Sequence, residues 1–166
     1  MSSPLSGPRP TVTVRDAVVD DAPLIAEFNA AMALETEGRP LEPQRLLAGV
    51  QAVFDHPARG RYLIAMHADR PVGQLLLTYE WSDWRNACFW WIQSVYVVRD
   101  ARGQGVYRAL HEHVLATAKA SPDVCGIRLY VDKANQAAQS VYRALAMTPT
   151  HYDFYELDWV IGAHTG

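Results

Sequence analysis

Apolar and polar residues follow strand-like and helix-like patterns along most of the chain. Residues 11–18 alternate and are rich in β-branched side chains, which predicts a first strand. Two helical faces come next, one after the acidic capping pair at 20–21 and one from near Pro43. Gly38 and Pro40 interrupt the pattern between them, so we predict two separate helices.

The remaining pattern predicts strands that first form hairpins and then alternate with helices. We predict strands over 61–67, 72–81, 87–98, 127–131 and 151–160, the last as one strand or two, and helices from 106 and over 135–146. The run 87–98 is almost wholly apolar, as expected of a strand that is covered on both faces. Hairpins imply antiparallel pairing and the later alternation implies parallel pairing. We therefore expect an α/β fold in which a mixed sheet carries helices on both faces.

The composition is that of a folded globular protein. The chain has 166 residues, of which 49% are apolar and 20% are charged, and its net charge is −3. These values exclude a disordered chain, and the slight negative charge argues against nucleic acid as a partner. We expect one domain over residues 11–160, between a flexible leader at 1–10 and a tail at 161–166.

The lengths of the apolar stretches and the positions of the two cysteines indicate the cellular compartment of the protein. No apolar stretch reaches the roughly 20 residues of a membrane-spanning helix, so we expect no membrane partner. The first ten residues lack the apolar core of a signal peptide. Cys88 and Cys125 lie in apolar strand-like runs, and we interpret them as buried thiols in a reducing compartment. We therefore predict a cytoplasmic protein.

The segment from Val95 to Leu110 carries the clearest chemical signal. A buried strand runs into the turn Arg102-Gly103-Gln104-Gly105 and then opens a helix. Glycines leave backbone N–H groups uncrowded, and a helix N-terminus carries roughly half a positive charge, so the turn is suited to a pyrophosphate. Arg102 and Arg108 could add cationic donors. The alternative is an ordinary tight turn, because the phosphate motifs GxxxxGKS/T and GxGxxG are both missing from the sequence.

A second segment places three side chains on neighbouring parts of one predicted helix surface. Asn135 is followed by Ala138 and then by Tyr142, four residues further on. The small alanine between an amide and a phenol leaves room for a ligand to lie along the helix. The alternative is a capping asparagine followed by a core alanine and tyrosine.

Together the two segments resemble the GNAT superfamily of N-acetyltransferases, over roughly residues 11–156. The resemblance rests on Val95-Tyr96-Val97-Val98, Arg102-Gly103-Gln104-Gly105 and Asn135-x-x-Ala138-x-x-x-Tyr142. It implies an N-acetyltransferase whose mixed sheet splays between two central parallel strands and is flanked by about four helices. Acetyl-CoA would lie in that opening as co-substrate, and an amine acceptor would attack its acetyl carbonyl directly.

The same resemblance implies roles for particular residues. Tyr142 would lie near the sulfur, touch the cofactor and protonate the leaving thiolate. The other cofactor-binding residues would be Val95, Tyr96, Val97 and Val98 along the pantetheine arm, Arg102, Gly103, Gln104, Gly105, Val106 and Tyr107 around the pyrophosphate, and Asn135 and Ala138 beside the arm.

The chain departs from the family pattern in three places. Tyr107 stands where the family has a glycine or alanine, so its side chain either points away from the cofactor or narrows the phosphate pocket. Ala146 and Met147 replace a glycine–phenylalanine pair, which should only repack a corner. Some members carry a glutamate near the start of the long strand, but residues 88–91 are cysteine and aromatics here. The base must then come from elsewhere, or the amine loses its proton through water.

A dense aromatic and charged run at 79–85 is the candidate acceptor site. It holds two tryptophans, Glu80, Asp83 and an arginine, and Trp90, Trp91 and Gln93 are expected to face the same region. Aromatic rings and carboxylates suit a cationic amine, so we predict that Glu80 or Asp83 faces the amine as a catalytic group. The alternative is a hairpin whose tryptophans pack on the sheet and whose charges are solvated.

A second charged run at Glu35, Glu37 and Arg39 falls where the resembled family often lines its acceptor site, although such a run is also typical of a solvated helix end. The histidines are isolated or point to different helix faces, and we predict no metal site.

Three functions stay open at this point. The first is acetyl transfer from acetyl-CoA to the primary amine of a small molecule. The alternatives are a protein lysine or N-terminal acetyltransferase and a non-catalytic acyl-CoA-binding regulatory module. The final predicted strand, rich in aromatics, could pair across a homodimer.

Overall fold

The computed structural model of the chain describes residues 11–161. The predicted leader at 1–10 and all of the predicted tail beyond Ile161 lie outside the described residues. The described residues form two compact units that divide between Tyr130 and Val131, and each is described by itself. The expectation of one domain over 11–160 stays a prediction.

The first unit contains five strands and three α-helices. In chain order they are β1 (Val12–Asp16), α1 (Ala22–Glu37), α2 (Pro43–Asp55), β2 (Arg61–His67), β3 (Arg70–Ser82), β4 (Ala87–Val97), α3 (Val106–Ala120) and β5 (Val124–Arg128). The second unit holds α4 (Gln136–Ala144). Most of the predicted elements are confirmed, with ends that differ by a few residues.

The five strands form one mixed sheet in the order β1-β2-β3-β4-β5. The first four strands pair antiparallel, and β4 pairs parallel with β5. This confirms the predicted α/β architecture: β2–β3 and β3–β4 are hairpins and pair antiparallel, whereas the helix α3 carries the chain back for a parallel strand.

Local signals set the ends of the first two helices. Gly38 caps α1 with a left-handed backbone at φ 60°, which a glycine adopts without steric cost. Pro43 opens α2, and the Glu42 carboxylate accepts the N–H groups of Gln44 and Arg45 at 2.9 and 2.7 Å. These contacts satisfy donors that the first helical turn cannot pair internally.

Helices cover both faces of the sheet, and each face has its own apolar core. On one side α3 packs onto the strands through Val106, Leu110 and Val114, which form one core cluster with Leu75 and Ile92. On the other side α1 and α2 bury a smaller cluster, which comprises Ala22, Ile25, Val50, Tyr62 and Ile64. On β4, Trp90 and Ile92 lie in the core beneath α3, and on the α1 side the Tyr96 ring centre lies 5.3 Å from that of Phe28.

Neighbouring aromatic residues of β4 point to opposite faces of the sheet. Trp90 is 8% exposed and belongs to the core beneath α3, whereas Trp91 contacts Glu80 on the other face. The expectation that Trp90, Trp91 and Gln93 face one region is therefore wrong for Trp90. The reason is the two-residue period of a strand, which sends adjacent side chains to opposite sides.

The predicted last strand does not form. Within the described part of the second unit, residues 151–161 adopt no regular strand, and Tyr155 and Trp159 are exposed. The alternating pattern of this segment gives it a strand-like face, but a strand forms only where another strand pairs with its backbone. The predicted strand at 127–131 is also shifted, since β5 spans Val124–Arg128.

A pair of glycine substitutions tests this architecture. Gly60 has φ 150°, and a Cβ there would overlap the carbonyl oxygen of Leu77, so Gly60→Ala should cost about 1–3 kcal/mol of unfolding free energy. Gly49 lies in α2 with open space around it, so Gly49→Ala should add about 0.5–1 kcal/mol. Urea unfolding measures both, and equal effects of the two substitutions would contradict the packing around Gly60.

Candidate active site

A bulge interrupts β4 near its carboxyl end. Gln74 pairs with Tyr96 and Leu76 pairs with Gln93, so Ser94 and Val95 together oppose the single residue Leu75. Ser94 has φ 50°, which is rare for a residue other than glycine. Bulges of this kind bend a strand and re-aim its backbone groups, and they are frequent beside active sites.

The sheet opens just before this bulge. The parallel pairing of β5 with β4 covers Cys88 to Trp91, while β4 continues to Val97. Among the described residues no strand pairs with this edge of β4 beyond Trp91. Main-chain groups on that edge are therefore not paired with a described strand beyond Trp91, although the Val97 carbonyl accepts a hydrogen bond from Arg102 Nε. The predicted splay between two central parallel strands is confirmed.

The glycine-containing turn joins β4 to α3. Gly103 and Gly105 have left-handed backbones at φ 74° and 83°, and a Cβ on either would meet no atom within 4 Å. Helix α3 starts at Val106 with no side-chain cap, and its first N–H groups have no acceptor within the helix. The turn therefore combines open space with the positive end of a helix dipole, which fits a pyrophosphate.

Arg102 is anchored beside this turn by the carboxylate of Glu35, a residue that the sequence pattern associated with the acceptor site. Its Nη2 lies 2.6 Å from Glu35 Oε2, and its Nε donates to the Val97 carbonyl at 2.9 Å. Glu35 also accepts from Arg99 and from the Tyr96 hydroxyl at 3.1 and 3.2 Å. The hydrogen bond from Arg102 lowers the pKa of Glu35, so the carboxylate is ionised at neutral pH and fixes the arginine in place.

Tyr107 is half-buried on the first turn of α3. Its ring centre lies 6.0 Å from that of His111, one helical turn further along, and burial lowers the pKa of His111. Val106 is 3% exposed and anchors the helix start in the core. Val106 therefore faces the core with its side chain and can offer the cofactor its backbone N–H group.

The candidate acceptor residues separate into two groups. Glu80 lies on the α1 and α2 side of the sheet, where it accepts hydrogen bonds from the Trp91 indole and, at 2.7 Å, from Arg128 Nη1. Asp83 lies in the β3–β4 turn, exposed, and its carboxylate accepts the Trp84 N–H at 2.9 Å. The structure therefore brings Glu80 next to Trp91 and leaves Asp83 beyond the strand end.

Arg128, which the sequence analysis did not single out, contacts the candidate acceptor residue Glu80. Its guanidinium carbon lies 3.6 Å from the centre of the Phe89 ring and 6.0 Å from that of Trp91. We call Glu80, Phe89, Trp91 and Arg128 the fork cluster, because they lie where β4 and β5 part. One signal could have found Arg128: a charged residue that ends an otherwise apolar strand.

The second unit places Asn135 and Tyr142 on one helix. The Asn135 side chain caps α4 by accepting the Ala138 N–H at 3.0 Å, so the capping interpretation of Asn135 is confirmed. Tyr142 lies about two turns beyond Asn135 and is half-buried. Burial raises the pKa of Tyr142, so its phenol holds a proton at neutral pH.

Other kinds of site are not found in the described part of the chain. Across residues 11–161 no helix has the length and apolar character for a membrane crossing. The same residues hold no group of three or more His, Cys, Asp or Glu side chains placed to bind a metal ion.

Comparison with known sequences agrees with this geometry. A sequence model of the acetyltransferase (GNAT) family matches residues 26–147, which is most of the chain. The protein therefore belongs to the GNAT family and is an N-acetyltransferase, and enzymes of this family use acetyl-CoA and an acceptor. A comparison with curated proteins gave no match.

Solved structures share the fold over nearly the whole chain. A possible acetyltransferase from Clostridium difficile 630 is 38% identical, covers 90% of this chain and 98% of its own, and superposes with a TM-score of 0.83. A predicted acetyltransferase with acetyl-CoA from Clostridium acetobutylicum is 16% identical, with coverages of 93% and 100% and a TM-score of 0.72. The ribosomal-protein-alanine N-acetyltransferase from Brucella melitensis biovar Abortus 2308 is 17% identical, with coverages of 90% and 99% and a TM-score of 0.73. The last two show the fold alone.

Substitution of Gly105 tests the turn as the pyrophosphate site. Gly105→Val places a branched side chain in the open space before the helix N-terminus, and we expect acetyl-CoA binding to weaken by about 1–3 kcal/mol. Gly38→Val is the matched control, because Gly38 is also left-handed and uncrowded but caps α1. Calorimetry on both folded variants should show the loss for Gly105→Val alone. Equal affinities would reject the site.

Proposed function

We propose that the enzyme transfers the acetyl group of acetyl-CoA to the primary amine of a small molecule. The observation that carries this proposal is the continuous path from the open edge of β4 to the start of α3. Pantetheine contains amide groups that can pair with a strand edge, and pyrophosphate is an anion that suits a helix N-terminus. The edge of β4 can pair with the pantetheine amides and the start of α3 can bind the pyrophosphate, and the two follow each other directly in the chain.

The proposed cofactor contacts follow that path. Main-chain groups of Val95, Tyr96, Val97 and Val98 pair with the pantetheine arm, although the Val98 N–H is already bonded to the Val72 carbonyl at 3.0 Å. The turn at 102–107 holds the pyrophosphate through N–H groups, with Arg102 kept nearby by Glu35. Asn135 and Ala138 are proposed to line the arm.

Tyr142 is proposed as the general acid. Nitrogen–carbon bond formation and carbon–sulfur bond cleavage leave a thiolate on the departing group, and the Tyr142 phenol supplies its proton. A raised pKa keeps that phenol protonated in the neutral range. Water or a carboxylate takes the proton that the amine loses.

Glu80 and Asp83 are proposed as the carboxylates that attract the amine. The Glu80 oxygens already accept from Arg128 and Trp91, but a carboxylate offers about four lone-pair sites, so Glu80 can accept one further N–H. Asp83 is exposed and could act on a longer acceptor. A nearby carboxylate favours the protonated amine, so it aids the reaction only if it, or a water that it orients, also removes the proton.

Replacement of Tyr142 tests the acid role. Tyr142→Phe keeps the ring and removes the proton, so we expect kcat to fall by about 10²–10⁴ with almost unchanged acetyl-CoA affinity. Tyr152→Phe, at an exposed tyrosine of the same unit, is the control and should keep full activity. Turnover within a few-fold of wild type would mean that the thiolate leaves with help from solvent.

Replacement of the two carboxylates tests the amine side. We expect Glu80→Gln or Asp83→Asn to lower kcat/KM for the amine and to leave acetyl-CoA binding intact. In the wild type, kcat/KM should rise with pH as the amine and its base deprotonate. The measurement is an amine panel across pH, extended to peptides with a lysine or a free N-terminus.

Three results would contradict the proposal. Wild-type kinetics in both Glu80→Gln and Asp83→Asn would contradict the role of these carboxylates, and Glu35 and Glu37 would be the next acceptor residues to test. Preference for peptides would favour a protein acetyltransferase, and acetyl-CoA binding without turnover would favour a regulatory module.

A further inference from the structure

Arg128 lies where the sheet opens. It ends β5 and pairs in register with Trp91, the last β4 residue that β5 covers. Ser94 and the bulge follow three residues later, about 10 Å along the strand. A ligand on Arg128 would therefore lie within a small molecule's length of the bulge.

Two neighbours, Glu80 and Phe89, hold the Arg128 guanidinium in one orientation. Glu80 fixes Nη1 at 2.7 Å, and the Phe89 ring lies beneath the guanidinium plane at 3.6 Å. Gly126 makes room for that ring, since a Cβ there would lie 2.7 Å from the Phe89 ring edge. An arginine held in this way loses little conformational freedom when it binds a ligand.

One edge of the guanidinium is left for a ligand. Among the residues that the structure describes, Arg128 makes one hydrogen bond, through Nη1, and none through Nε or Nη2. The side chain is 33% exposed. Nε and Nη2 form the planar fork that pairs with the two oxygens of a carboxylate.

The charges of the fork cluster favour an acceptor that carries both signs. A simple cationic amine that approaches Glu80 is repelled by the positive charge of Arg128, which lies 2.7 Å from the same carboxylate. This repulsion largely offsets the attraction between the amine and Glu80. An amine with a carboxylate avoids the conflict, because its ammonium group takes a remaining lone pair of Glu80 while its carboxylate takes the free edge of Arg128. The Trp91 ring supplies an apolar wall beside them.

We infer that the acceptor is an amino acid or a similar amino-carboxylate, whose carboxylate binds Arg128. This inference rests on the proposed acetyl transfer to an amine and names its substrate class. Glu80 then acts on Arg128 as a positioning residue as well as on the amine.

Matched acceptors test the inference. An amino acid, its carboxamide and its decarboxylated amine are compared by kcat/KM on the high-pH plateau, where differences in amine pKa no longer matter. We expect the amino acid to be preferred by about tenfold to a hundredfold, and Arg128→Gln to abolish the preference, mainly through KM. Arg45→Gln, at an exposed residue of α2, is the control.

Two further variants separate binding from folding. Arg128→Lys keeps the charge but lacks the fork, so it should keep part of the preference. Gly126→Ala displaces Phe89 and should weaken the preference while Arg128 is intact. If Arg128→Gln unfolds, these two variants decide, and a full preference in both overturns the inference.

A binding measurement separates this inference from the proposed function. The probe is an N-acetylated amino acid, followed by Trp fluorescence or equilibrium dialysis, which requires no turnover. Loss of at least about tenfold in its affinity in Arg128→Gln supports the inference even if no acceptor is acetylated. Equal transfer to acid, amide and amine, unchanged by Arg128→Gln, overturns the inference and leaves the proposed function standing. A preference for an aminoalkyl phosphate also overturns it.

Discussion

The end of pairing between β4 and β5 at Trp91 is the constraint on which the rest of the site depends. Beyond Trp91 no described strand pairs with this edge of β4, so a ligand with amide groups could pair with its backbone. The bulge at Ser94 re-aims that edge, and α3 begins where the strand leads. The cofactor path that we propose for acetyl-CoA follows this discontinuity between β4 and β5.

Two carboxylate–arginine pairs lie on either side of the opening between β4 and β5, one beside the glycine turn and one at the fork cluster. Glu35 reaches from the last turn of α1 to hold Arg102 beside the glycine turn, and Glu80 holds Arg128 at the fork. Each pair is partly exposed, so its contribution to stability is small. The greater effect of each is geometric, because the carboxylate removes rotamers that a long arginine would otherwise populate.

The fold and the glycine turn between β4 and α3 could be predicted largely from the sequence. Hydrophobic period, capping residues and turn glycines gave nearly all the elements of the first unit, because these signals act between residues close in the chain. The resemblance added the parallel splay, and the geometry of β4, β5 and α3 confirmed it. The predicted strand at 151–160 failed because a strand requires a partner that local pattern cannot supply.

Tertiary structure decided which of the candidate acceptor residues lie near one another. Because they lie close together in the sequence, Trp90 was grouped with Trp91 and Glu80 with Asp83. Strand alternation sends Trp90 and Trp91 to opposite faces of the sheet, and the β3–β4 turn places Asp83 beyond the strand that carries Glu80. Arg128 joined Glu80 across 48 residues of sequence, through the parallel register of β4 and β5. The sequence by itself determined the elements, the family and the glycine turn, since their determinants lie within single segments. Only the tertiary structure decided which charges meet, because contacts between distant segments depend on strand order and register.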